Sequence, residues 1–276
     1  MDDFGVGGRL QIGRSTALKS LSKKARRQQL ILEQLEINPA MRVGEMADEL
    51  AVSAETVRRD LAELDASGRI RRTYGGAVRT TVFEPVLAER LKQYVPERER
   101  IARHAMTLID STESLFIGGG ATTLHFARAL KSADRRITVL TSSLGMAIEL
   151  SGNPLIEAVS MPGKVEPREG IVYGPETLEY IDRYRTPLAI IGASAIDETG
   201  VSEALRNAAH VYEAMVDVAD RTIVLADHSK FGNRSLRMIL DWGPNTTLVT
   251  DIRPEPCILA ALEESGAKVE IAPDNG

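Results

Sequence analysis

The sequence predicts a small winged helix-turn-helix domain followed by an α/β domain with a mainly parallel sheet. Three observations carry this. Three helical apolar patterns between residues 24 and 67 run straight into a basic ribbon. From Ile101 onward, short apolar runs alternate with helical patterns, as βαβ units require. Charge also divides along the chain. Residues 1–80 hold 14 basic and 11 acidic side chains, net +3, and the rest is net −8 within an overall −5. A basic head on an acidic body suits a modular nucleic-acid binder.

Composition narrows the function classes. The 276 residues, 43% hydrophobic and 26% charged, suffice for two globular domains. A single Cys257 excludes an internal disulfide and a Cys-rich zinc site, and fits a reducing cytoplasm. His104, His125, His210 and His228 show no metal-ligand spacing, so neither metal nor cofactor is expected. The first residues lack an apolar signal core, and no apolar run approaches the roughly 18 residues that span a bilayer. A cytoplasmic protein without a membrane partner is expected.

The elements follow in order. Residues 1–22 carry Gly and Ser without periodicity and are expected to form a flexible tail. A first helix begins near Lys24, with Leu30, Ile31, Leu35 and Ile37 as its apolar stripe and Arg26, Arg27, Gln28 and Gln29 facing out. Asn38-Pro39 ends it, because the residue before proline disfavours helical dihedrals. A second helix runs from about Val43 to Leu50, and Ala51-Val52 makes a tight turn. Ser53 caps a third helix, Glu55 suits its positive N-terminal end, and Val57, Leu61 and Leu64 form its buried face up to a stop at Gly68. In the ribbon 69–79, Ile70, Thr73, Tyr74 and Val78 suit strands and Gly75-Gly76 a tight turn. The DNA-binding domain is therefore placed at 23–80. Residues 81–100 are expected to form a linker, in which Glu97-Arg98-Glu99-Arg100 is a solvated helix face. An effector-binding and oligomerisation domain occupies 101–276.

The third helix carries the DNA chemistry. Opposite its apolar face it presents Ser53, Glu55, Thr56, Arg58 and Arg59 at its N-terminal end. A recognition helix uses that end on base edges in the major groove. Arginine pairs with guanine O6 and N7, glutamate accepts from cytosine N4, and hydroxyls hold phosphates. Arg69, Arg71, Arg72 and Arg79 on the ribbon neutralise phosphates or enter a minor groove. The alternative is a three-helix bundle with a solvated arginine face; the basic Gly-Gly ribbon directly after the helix stop favours DNA. Val52-Ser53, Glu55-Thr56-Val57-Arg58-Arg59-Asp60-Leu61, Leu64, Gly68, Arg72 and Tyr74-Gly75-Gly76-Ala77 resemble the signature of DeoR-type bacterial regulators. Val57 stands for the commoner Ile and Tyr74 for the commoner His. The resemblance implies a helix-turn-helix at about 41–60.

In the second domain, strands are expected at 115–117, 137–140, 155–159, 188–191, 222–225 and 247–249, and helices at 124–130, 144–150, 207–218 and 258–265. Gly118-Gly119-Gly120-Ala121-Thr122-Thr123 joins a strand to a helix. It reads either as a phosphate-cradling loop, since glycines admit close approach and helix-start N–H groups favour anions, or as a plain tight turn. Thr141-Ser142-Ser143 offers hydroxyls at the next strand end, or a simple N-cap. Ser194 and Asp197 follow one strand, Asp227 and Lys230 another; they suit hydroxyl and anion binding, or loop salt bridges.

These segments, with Gly163-Lys164, Gly174, Gly200 and Thr250-Asp251, are similar to the family's effector domain. That domain is similar to ribose-5-phosphate isomerase and senses phosphorylated sugars or related metabolites, and the resemblance covers roughly residues 24–252. The chain departs from the pattern at several positions. Gly118 and Pro187 stand where Asp is usual, Ala121 where Thr is, and Ala208 and Tyr212 where Glu and Lys are. Tyr212 thus replaces a cation at the expected effector site. The leading reading is a homo-oligomeric regulator of carbohydrate genes whose partners are double-stranded operator DNA and a small effector. A sugar-phosphate isomerase with an accessory domain and a purely oligomerising second domain are the alternatives.

Overall fold

The computed structural model describes residues 23–37, 40–66, 70–73, 76–79, 85–109 and 112–274. The expected tail, Arg69 and Tyr74 lie outside the described residues. The chain forms two compact units that divide between Phe83 and Glu84.

The first unit runs α1 (Lys23–Ile37), β1 (Ala40–Arg42), α2 (Val43–Glu49), α3 (Ala54–Ala66), β2 (Ile70–Thr73) and β3 (Gly76–Arg79). The strands form an antiparallel sheet ordered β1-β3-β2, with Ile70 opposite Arg79 and Thr73 opposite Gly76. This is the winged helix-turn-helix. Its turn is tight because Ala51 takes a left-handed φ of 52° while the Val52 amide donates to the Ala47 carbonyl at 3.1 Å. Ile31, Leu35, Met46, Val57, Leu61, Leu64 and Ile70 close one core. In α1, Leu32 is buried where Leu30 was expected. Arg27, expected to face out, is half-buried instead: it forks onto Asp60 of α3, a carboxylate only 2% exposed. The buried stripe is thus shifted toward Leu32, beside a charge pair across the helices that periodicity alone does not reveal.

The second unit is a three-layer α/β structure. Its strands β4 (Ser114–Ile117), β5 (Ile137–Thr141), β6 (Ile156–Ser160), β9 (Ala189–Gly192), β12 (Thr222–Leu225), β14 (Thr246–Thr250) and β15 (Lys268–Ile271) form one parallel sheet in the order β15-β14-β12-β9-β4-β5-β6. Alternate strand residues feed two cores. Leu115, Ile117, Ile190, Ile223 and Leu225 meet α5 (Val95–Met106), α6 (Ala121–Leu130) and α7 (Leu144–Leu150). Phe116, Ile191 and Val224 meet α8 (Pro175–Asp182), α9 (Arg206–Asp217) and α10 (Pro256–Ser265). Both faces are covered, which is why the strands read as continuous apolar runs. A hairpin of β7 (Lys164–Glu166) and β8 (Ile171–Tyr173) and an antiparallel sheet of β10 (Ala195–Asp197), β11 (Gly200–Glu203) and β13 (Arg237–Asp241) complete the unit.

Residues expected to form a linker are instead part of this unit. A short α4 (Leu87–Arg90) leads into α5, whose Ile101, Ala102 and Ala105 are buried. Arg98, expected on a solvated face, lies in register with them at i, i+3, i+4, i+7 and is 2% exposed. Among the described residues no helix is long and apolar enough to cross a membrane.

Candidate functional site

The third helix presents its polar face as a prepared surface. Ser53 Oγ accepts the Thr56 amide at 3.2 Å, closing the first turn. Val57, Leu61 and Leu64 are fully buried, whereas the Arg58 and Arg59 side chains are 56% and 79% exposed. Glu55 stands 3.6 Å from the Arg58 guanidinium and 3.7 Å from that of Arg59. The backbone of Arg71, Arg72 and Arg79 lies on the β2–β3 hairpin, the wing.

The second site follows from sheet topology. Successive strands run outward from β4 through β5 to β6, and then the order reverses to β9 on the other side of β4. Connections leave β4 and β9 toward opposite faces, which opens a crevice at their carboxyl ends, the place where open α/β sheets bind ligands. That crevice is lined by Gly119, Gly120, Ala121 and Thr122 after β4 and by Gly192 and Ala193 after β9. Glu203, Leu205, Ala208 and Tyr212 come from one flank, Lys230 from the loop after β12, and Arg90, Arg98 and Glu169 from the other. The Gly120 φ of 141° turns the strand into α6, whose first residues, Ala121 and Thr122, line the crevice at the helix end that favours anions.

Tyr212 and the glycines fit as a set. The tyrosine hydroxyl donates to the Gly119 carbonyl at 3.1 Å. A Cβ at Gly118 would meet the Tyr212 ring at 3.1 Å, and one at Gly119 would run into the Ile171 side chain and meet the tyrosine hydroxyl oxygen at 2.9 Å. Two positions where the chain departs from the family pattern, Gly118 and Tyr212, are therefore in contact.

A network of buried charge backs the crevice. Arg98 Nε donates to Asp227 at 2.9 Å, with the pair 2% and 0% exposed. Arg98 Nη1 donates to the Arg90 carbonyl, and Arg90 forks onto Glu169 at 3.1 and 2.7 Å. Glu169 also accepts the Leu87 amide at the start of α4. Burial alone pushes the Asp227 carboxyl up. The Ser229 hydroxyl, Arg98 and Lys230 outweigh it and hold the group below the usual carboxylate range.

The remaining expected residues are placed as follows. Thr123 Oγ1 donates back to the Gly120 carbonyl. Thr141 bonds the Ile117 carbonyl and Ser143 caps α7 through the Met146 amide; neither they nor Ser142 line the crevice. Lys164 lines a separate groove with Tyr173, Leu178 and His210. Ser194 follows Ala193, its amide on the Ser202 carbonyl. Asp197 holds its own turn through Thr199 and pairs with Arg234; burial raises its carboxyl, and Thr199 and Arg234 bring it down overall. The sequence pattern marked none of Arg90, Arg98, Glu169 and Glu203. For Arg98 a signal exists in its register with Ile101, Ala102 and Ala105. Glu169 is brought in by tertiary pairing alone.

Two family descriptions match the chain: DeoR-like helix-turn-helix domain over residues 27–82 and DeoR C terminal sensor domain over residues 93–252. The chain belongs to the DeoR family. Relatives within reach of alignment include the HTH-type transcriptional regulator YulB of Bacillus subtilis (strain 168), 31% identical over 90% of this chain and 97% of that protein. The HTH-type transcriptional repressor GlcR of the same organism is 32% identical over 80% and 85%. The glycerol-3-phosphate regulon repressor of Escherichia coli (strain K12) is 27% identical over 90% and 99%. Ribose 5-phosphate isomerase A of Methanocaldococcus jannaschii is similar in structure over 50% of this chain and 55% of its own, at 16% identity and a TM-score of 0.38. In this DeoR-family chain the helix-turn-helix and the crevice thus sit in separately matched segments.

Two measurements test this geometry. Gly118→Ala is expected to destabilise the wild-type protein by about 1–3 kcal/mol through overpacking against Tyr212. In a Tyr212→Ala background the same change becomes neutral or stabilising, a coupling of about 1 kcal/mol or more in a denaturation cycle; additive effects would contradict the packing. The Asp227 carboxyl titrates below its unfolded value of about 3.9. Its pair therefore stabilises fully above about pH 4 and loses that contribution as pH falls through the native value. Asp227→Asn should flatten the acid limb of unfolding free energy, measured by urea titration at stepped pH.

Proposed function

We propose that this protein is a ligand-controlled repressor of a carbohydrate uptake or catabolism operon. The observation that carries this is the division of labour within one chain. One helix of the first unit buries its whole apolar face and exposes Arg58 and Arg59, and a crevice within the second unit gathers the residues that start α6, Arg98 and Lys230. On this reading α3 enters the major groove of operator DNA, with Glu55 releasing the arginines to base edges and the wing arginines resting on phosphates. The protein acts in the cytoplasm as a homo-oligomer, because one recognition helix reads only a few base pairs and paired half-sites match a symmetric assembly.

The effector is a sugar phosphate or a related metabolite. Anion-directed amides at α6 and the cation Lys230 support the phosphate, and the name of the glycerol-3-phosphate regulon repressor points the same way. Binding shifts an equilibrium between DNA-competent and incompetent assemblies. An isomerase reading would need a carboxylate base at the substrate. Asp197 and Asp227, the candidates, are both engaged in ion pairs and held below the usual carboxylate range, after burial and the named partners are weighed. That supports a sensor rather than an enzyme.

Arg58→Ala and Arg59→Ala should each reduce operator affinity at least tenfold with unchanged circular dichroism. Unaltered footprints for both would refute the assignment of α3. A thermal-shift screen of phosphorylated and free sugars and sugar alcohols should raise the melting midpoint for a phosphorylated compound. Lys230→Ala should abolish that rise. If only unphosphorylated compounds act, the phosphate reading fails.

A further inference from the structure

The opening segment of the second unit, residues 85–98, here called the connector, supplies a wall of the effector crevice. Its Arg98 is 2% exposed and lines the same space as Gly119, Gly120, Thr122 and Lys230. Two of its three guanidinium nitrogens are engaged, Nε by Asp227 and Nη1 by the Arg90 carbonyl. Nη2 has no hydrogen-bond partner among the described residues. Nη2 is not among the buried unpaired atoms, so it opens onto the accessible space of the crevice, where an acceptor would engage it.

We propose that Arg98 is a ligand-binding residue that holds the phosphoryl group of the effector together with the amides at the start of α6, and that the connector thereby reports occupancy of the crevice. This rests on the phosphorylated-effector reading above. An arginine with one arm already oriented by a carboxylate presents the other in a fixed direction, which suits a phosphate oxygen. Lys230 lies close enough to Asp227 to lower its titration, so two cations face one carboxylate beside a helix N-terminus. Glu203, on the same lining and already accepting the Leu205 amide at 3.0 Å, places negative charge against a second anionic group, so the class is a monophosphate.

The consequence for signalling lies in what Arg98 is attached to. Its amide donates to the Tyr94 carbonyl at 3.0 Å, and Tyr94, at φ 52°, begins α5. The Tyr94 ring meets His228 edge-on at 5.2 Å, in the loop that carries Asp227 and Lys230. Arg98 also holds the carbonyl that ends α4. Because Nη2 is not engaged, a bound phosphoryl adds a tie without breaking one, and occupancy firms the connector onto the loop after β12.

Hydrogen exchange on the full chain with inorganic phosphate as the probe tests this directly. Phosphate should protect amides of residues 86–98 together with those of 118–124. Arg98→Lys keeps the charge opposite Asp227 but lacks the second arm, and should weaken phosphate at least threefold. Arg98→Met with Asp227→Asn removes both charges, so neither is left buried alone, and should weaken it at least tenfold. Protection confined to 118–124, or affinities within twofold of wild type in both variants, would overturn the role of Arg98 and leave the crevice reading standing. If phosphate protects neither segment in the wild-type chain, the crevice reading fails and this inference with it.

Discussion

The reversal of strand order beside β4 is the constraint on which the rest of the second unit depends. A parallel sheet whose connections all ran one way would bury the carboxyl ends of its central strands under continuous packing. Here the chain leaves β4 and β9 toward opposite faces, and a gap forms where neither helix layer reaches. Loops of four strands and the connector then converge on it or brace it. The glycine run after β4, Ala193 after β9, and the Asp227–Lys230 turn after β12 are neighbours because their strands are adjacent, with Asp251 after β14 holding His228 by two bonds of 2.8 and 2.6 Å.

Buried ion pairs around such a gap are poor stabilisers in themselves, because removing charges from water offsets most of their attraction. Their value is positional. Arg98–Asp227 and Arg90–Glu169 each join a segment before the sheet to a loop far along the chain. A hydrophobic contact in the same places would pack equally well but tolerate sliding. Paired charges fix which helix turn faces which loop, and they keep donors and acceptors available at the wall of a cavity.

Much of this was legible in the sequence. The six expected strands and the four expected helices of the second unit form close to their predicted limits, because apolar runs between turn residues are strong signals for buried parallel strands. Ser53 caps its helix as its residue type suggests. The short antiparallel strands β7, β8, β10, β11 and β13, the edge strand β15 and helix α8 escaped, being too brief or too polar for periodicity to register. The burial of residues 85–98 is hidden from the sequence for a different reason. A charge run is ordinarily solvated, and what buries Arg98 is a carboxylate 129 residues away in sequence. For Thr141, Ser142 and Ser143 the sequence left two meanings open, and the local hydrogen bonds of Thr141 and Ser143 favour capping.

The contact between Tyr212 and the glycines after β4 bears on how such a protein diverges. Gly118 leaves room for an aromatic ring, and the ring in turn crowds a side chain at Gly118, while at Gly119 the tyrosine hydroxyl and, more closely, Ile171 stand in the way. A larger residue at Gly118 and this tyrosine fit together only if one of them shifts, so the two positions change more readily as a pair than singly. Where change at this wall goes through a smaller residue at position 212, the crevice is emptier for a time, and an emptier crevice admits more kinds of molecule. Passage between effectors would then run through a period of loose recognition, its length set by how soon the second substitution follows the first.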